Sequence, residues 1–177
     1  VGLSVAFDSK DAYYVPFIHD YEGAPEQLNR ETILAQLKPI LENPSIAKIG
    51  HHLKYDAHIF ANHGIQLQGW GFDTMLGSYV LNPTATRHNM DDVARLYLSH
   101  LTITYEQVAG KGAKQLTFNQ IDLNVAAPYA CEDAHVTYRL FEVLKAKLAE
   151  QPELLALLER VELPTAQVLC NMESRGI

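Results

Sequence analysis

Small and apolar residues alternate along Val1–Phe7, the polar run Asp8-Ser9-Lys10-Asp11 interrupts them, and Ala12–Ile18 resumes the alternation. Two such runs about a short polar link predict an antiparallel hairpin. Residues 20–30, with Gly23 and Pro25 as breakers, read as loop. Asn29 then precedes Ile33, Leu34, Leu37, Ile40 and Leu41, a helical spacing that Asn29 can cap and that Pro39 should bend or end. Ala47 to Gly50 predicts a short strand, Leu53–His63 a helix stopped by Gly64, and residues 65–73 a second extended piece. Thr74–Leu81 predicts a helix closed by Asn82-Pro83, and His88–Leu98 puts Met90, Val93, Ala94, Tyr97 and Leu98 on one helical face. After one helical turn at Tyr105–Ala109, residues 110–114 read as a mobile surface loop. Asp122–Leu148 reads as one long helix with Pro128 near its start, and Leu154–Met172 as a further Leu-rich helix beyond a break at Pro152. Strands first and helices afterwards predict one layered α/β domain with a mixed sheet flanked by helices.

Composition narrows the picture. The 177 residues are 47% hydrophobic and 20% charged, enough to bury a core and unlike a disordered or collagen-like chain. The two cysteines, Cys131 and Cys170, are far apart and form no C-x-x-C pair, which predicts a reducing compartment without a structural disulfide. No apolar run approaches the ~20 residues a bilayer span needs, so the expected location is cytoplasmic, with no membrane partner. The chain opens on Val1 rather than Met, within a strand-like run, and is expected to be a piece of a longer protein. With 14 Lys and Arg against 21 Asp and Glu, the net charge is −7, which argues against coating duplex DNA by charge alone. It leaves room for a nuclease in which cations meet the phosphate.

Two patterns could carry such chemistry. In Tyr129-Ala-Cys-Glu-Asp133 the i, i+4 spacing places a phenol and a carboxylate on one helix face, where they could hold a metal and orient its water. Taken alone, such a pair is more often an ordinary surface pair. In Gly50-His-His-Leu-Lys-Tyr-Asp56 a strand end and a Gly turn lead to a carboxylate in a helix's first turn, a place Asp favours with or without function. His51, His52, His58 and His63 invite a zinc reading, but their spacing is not H-E-x-x-H and no Cys is near. The loop at 110–114 lacks the P-loop pattern.

Five ordered motifs resemble the proofreading 3′–5′ exonuclease domains of bacterial family A DNA polymerases. They are Gly50–Asp56, Phe72–Leu76, Arg87–Asp91, Gln115–Phe118 and Tyr129–Ala134, and the likeness extends over essentially the whole chain. Those domains belong to the DEDD exonucleases with a Tyr in the last motif. The resemblance implies a ribonuclease H-like fold and two divalent cations, Mg²⁺ with Mn²⁺ or Zn²⁺ as substitutes. It implies hydrolysis of a single-stranded DNA 3′ end to deoxynucleoside 5′-monophosphates. It makes Asp56 and Asp133 metal ligands, gives Tyr129 the orientation of the attacking water, and assigns His51, His52, Tyr55, Arg87 and Tyr105 to the DNA. Residues 1–150 would be the exonuclease domain, and 151–177 a helical connector into the rest of the polymerase in cis.

Two departures qualify the resemblance. His52 stands where the more familiar members have Asn, a mild change because both can donate a hydrogen bond. More important, the family's D-x-E motif belongs on a central strand that would precede Val1, and Asp8 and Asp11 in the hairpin turn have the wrong place and spacing to replace it. The chain alone is therefore expected to lack that strand, to hold half a catalytic site and to be inactive. The alternatives are an inert module that holds DNA and a related exonuclease that trims RNA.

Overall fold

The computed structural model describes residues 1–176. The hairpin forms as the alternation predicts: β1 (Gly2–Ala6) pairs antiparallel with β2 (Ala12–Pro16). Asp8 builds its turn by accepting from the Lys10 and Asp11 amides at 2.8 and 3.0 Å, the local bonding for which Asp is favoured in turns. Asn29 caps α1 (Arg30–Leu41) through the Thr32 amide, and the helix ends two residues after Pro39. A parallel pair follows, β3 (Lys48–Gly50) with β4 (Trp70–Asp73), joined through α2 (Leu53–Ala61).

The helical layer comprises α3 (Thr74–Leu81), α4 (Met90–Leu98), the single turn α5 (Tyr105–Ala109) and the 27-residue α6 (Leu123–Ala149), then α7 (Pro152–Leu157) and α8 (Leu163–Glu173). The core lies on α6. Val136, Leu140, Leu144 and Leu148 recur every four residues and are fully buried against Phe72, Val80, Val93, Ala94, Leu158 and Leu163. Each such Leu contributes about 1.5–3 kcal/mol by leaving water. The hairpin and β3 both pack on α6. His135 also ties α6 to the hairpin turn, its Nε2–H donating to the Ser9 carbonyl at 2.8 Å.

The mixed α/β class is as expected, but three details differ. The strands form two separate two-stranded ladders rather than one mixed sheet, because no described strand joins β1–β2 to β3–β4. The expected single helix over Leu154–Met172 is broken by a π-helical stretch at Leu158–Glu162. Pro164 has no N–H for the Arg160 carbonyl, and Leu163 donates instead to Leu158, one residue further back than an α-helix allows. Finally, part of the 110–114 loop is a 3₁₀ turn at Gly112–Lys114.

Candidate active site

Asp56 is positioned by the junction of β3 and α2. Gly50 is required there: a Cβ would come within 2.5 Å of Leu53 Cδ2 and 3.5 Å of Asp56 Oδ2. His52 enters α2 in the left-handed region (φ 66°), which accounts for His or Asn at this position, since both tolerate that conformation better than most residues. Its side chain makes no cap. The cap comes from Asp73, buried at the end of β4 beside Gly50. Asp73 Oδ1 accepts from the His52, Met75 and Leu76 amides at 3.1, 2.9 and 3.3 Å, and Oδ2 from Leu53 at 2.8 Å. One carboxylate thereby caps α2 and α3 together.

Around this junction the predicted DNA contacts divide. Thr74 donates its hydroxyl to the Gly50 carbonyl and accepts from His51 Nδ1–H at 2.8 Å, and the His88 backbone also bonds the ring, so His51 is fixed inward. Burial holds its imidazole below the usual range. His52 and the exposed Tyr55 lie with ring centroids 6.2 Å apart. Arg87 is exposed in the segment before α4 and makes no ion pair among the described residues. Its neighbour His88 anchors that segment, donating to Pro83 and accepting from Ser78.

The second half of the site is on α6. Ala126, Ala130, Val136 and Leu140 are buried, and Asp133 falls on the same inward-facing side of the helix. Burial, then the charges of Glu132 and Asp91, push its carboxyl up to about 7. One turn earlier, Tyr129 packs against Tyr105 and Phe118 at 6.3 and 5.8 Å between ring centroids. Burial first, and Asp133 next, push its phenol up to about 12, so it stays a hydroxyl donor at neutral pH. Tyr105 is itself fixed by donating to the Leu116 carbonyl at 3.1 Å. Glu132 accepts from His100 Nε2 and the Ile103 amide and so pins the segment leading to α5. Asp91 accepts from the Thr102 hydroxyl at 2.6 Å.

Asp73, Asp91 and Glu132 each lie inside one of the five motifs, but no local pattern singles them out. A literal D-x-E also occurs, Asp20-Tyr21-Glu22. That triplet sits in the exposed bend after β2, not on a strand, and Asp20 is engaged with Asn119 at 2.7 Å.

Asp56 and Asp133 share one electrostatic character. Burial, then the Asp73 charge, raise the Asp56 carboxyl to about 6. These are hard oxygen donors held partly out of water and unneutralised by any ion pair, the chemistry a divalent cation seeks. The number is short, however: among the described residues no three His, Cys, Asp or Glu side chains converge to hold a metal. The donors fit a divalent cation in kind but not, by themselves, in number.

The raised carboxyls fix a pH dependence. Both folded values lie above the ~3.9 of an unfolded Asp, so the stability they allow is fully present below about pH 4 and is lost as pH rises through about 6 to 7. Asp56→Asn and Asp133→Asn should each stabilise the cation-free chain at pH 8, by roughly 1–2 kcal/mol after discounting for solvent access, with no gain at pH 4. Urea unfolding of the three proteins at both values checks this. An equal gain at both would discard the burial explanation.

The chain belongs to the 3′–5′ exonuclease family, whose model matches residues 1–149. It is 51% identical to DNA polymerase I of Pseudomonas aeruginosa over 99% of this chain and 20% of that polymerase. It is 41% identical to DNA polymerase I of Rhizobium leguminosarum over 94% of this chain and 17% of that one. Among solved structures, it resembles the POL domain of Pol1 from M. smegmatis in complex with DNA primer-template and dNTP. That match has a TM-score of 0.70 at 26% identity, covering 97% of this chain and 25% of the other. The chain thus spans about a fifth of the length of the curated relatives it matches. No helix among the described residues is long and apolar enough to cross a membrane.

Proposed function

We propose that this chain is the proofreading unit of a DNA polymerase I and shortens a frayed single-stranded DNA 3′ end by one deoxynucleoside 5′-monophosphate at a time. In this reading residues 1–150 form a ribonuclease H-like exonuclease domain and 151–177 connect it to the polymerase. The observation that carries it is the two partly buried carboxylates Asp56 and Asp133, neither ion-paired among the described residues, with the protonated Tyr129 one helical turn from the second. Asp56 and Asp133 would hold divalent cations, which supply a nucleophilic water at neutral pH and charge neutralisation for the phosphate. Tyr129, acting as donor, would occupy one lone pair of the attacking oxygen and so leave another directed toward phosphorus. Tyr105 and Phe118 fix the Tyr129 ring for that task. The exposed Tyr55 offers a face on which a terminal base can stack, worth ~1–3 kcal/mol. Arg87, His51 and His52 would meet the terminal phosphates and bases, with the remaining carboxylates supplied by the D-x-E motif that the resemblance implies on a strand before β1.

The shortage of converging ligands favours a second reading for the chain by itself, a DNA-holding module without chemistry. The two are separated by incubating the isolated chain and the full-length polymerase with 3′-labelled single-stranded DNA and Mg²⁺ or Mn²⁺. The expected result is monophosphate release by the full-length protein and none by the isolated chain. Release by the isolated chain that disappears in Asp133→Ala would show that its own residues complete the site. A full-length protein that trims RNA and leaves DNA intact would select the RNA exonuclease instead.

A further inference from the structure

Glu173, the last residue of α8, reaches across to α2 with both carboxylate oxygens. Lys54 Nζ donates to Oε1 at 2.6 Å and His58 Nε2 donates to Oε2 at 2.8 Å. One turn earlier on α8, Cys170 Sγ lies 4.0 Å from His58 Nδ1. Lys54 and His58 are i, i+4 neighbours and so share one face of α2. Asp56 lies two residues from each, about 200° around the helix, on the opposite face. Helix α2 is only nine residues long and buries Leu53 and Ala57 alone. The Asp73 cap fixes its start and Leu53 and Ala57 its inner face, and the outer face is restrained from α8. Among the described residues, the hydrogen bonds to α2 side chains are those of α8.

We infer that Glu173 is a positioning residue for Asp56: by clasping Lys54 and His58 on the outer face of α2, it sets the roll of the helix that aims the Asp56 carboxylate. The inference rests on the proposed role of Asp56 in hydrolysis. An exposed ion pair between two flexible side chains contributes little. Here one carboxylate is shared by two residues of a single helix face, and both partners are partly shielded, which restrains rotation rather than merely adding attraction. A misplacement of 1 Å at a reacting centre can cost ~10²-fold in rate, so a loosened α2 should cost about three- to tenfold.

The test uses the full-length polymerase with single-stranded DNA and saturating Mg²⁺, below its melting range. Glu173→Gln should lower kcat for 3′-end hydrolysis about three- to tenfold with KM changed less than about twofold. Amide exchange at Ala57 and Phe60 should accelerate by a similar factor, a readout independent of chemistry. The charge swap Glu173→Lys with Lys54→Glu should recover part of both quantities, since it restores the arm to residue 54 but not the arm to His58, and Lys54→Glu alone should recover neither. Unchanged kcat or exchange in Glu173→Gln, or a swap no better than its single variants, would overturn the inference. Hydrolysis that survives Asp56→Ala would overturn the reading beneath it, while the exchange data would still report on the clasp.

Discussion

In the full-length polymerase, Asp133→Ala is expected to abolish release of nucleotides from a DNA 3′ end while nucleotide addition continues. The variant removes a carboxylate whose oxygens lie among buried groups and have no substitute on the same turn. Glu132 cannot stand in, because its carboxylate is committed to His100 and the Ile103 amide. Tyr129→Phe should be milder, a loss of about 10²-fold, since it deletes one positioning hydrogen bond and keeps the ring packing against Tyr105 and Phe118. Steady-state release of labelled monophosphate, measured beside primer extension, distinguishes the two. Equal inactivity of both variants would mean that the Tyr129 hydroxyl does more than orient water.

Replacement of Asp73 should produce the largest loss of stability. Its carboxylate satisfies four backbone amides at the starts of α2 and α3, in a place closed to water. Asp73→Ala leaves those donors without partners, at about 1–3 kcal/mol for each that water cannot reach, and roughly 3–5 kcal/mol overall once the helix starts relax. The melting temperature should fall by roughly 10 °C, and a fall of only 1 or 2 °C would show that water replaces the cap. Because Asp56 follows from the same helix start, hydrolysis should decline at temperatures where the fold persists.

Which features could be read in the sequence depended on the range of the interactions behind them. The hairpin, the Asn29 cap, the face of α4 and the extent of α6 are set by neighbours within a few residues, and alternation, capping and helical spacing disclosed them. The shared face of Tyr129 and Asp133 was legible from their i, i+4 spacing, but the inward position of Asp133 was not, since such a pair more often lies on a surface. The role of Asp73 was not, because its partners on α2 lie about 20 residues earlier and are backbone amides, which carry no residue signature. The clasp of Glu173 spans 119 residues to Lys54 and belongs to the same category. The split of the strands into two ladders is likewise a matter of tertiary pairing, and the π-helical stretch follows from a Pro whose effect on the preceding turn is settled by packing.

The location of the core on α6 also governs the order in which the chain can fold during synthesis. The hairpin emerges from the ribosome well before α6, and Ser9 meets its partner His135 only 126 residues later. At ~5–20 residues per second the two strands wait roughly 6 to 25 s for the surface that shelters them. A two-stranded hairpin is marginal in water, so during that interval it lacks the support that α6 gives it in the finished fold. Translation speed over the codons of residues 20–140 therefore sets how long the hairpin stands without α6.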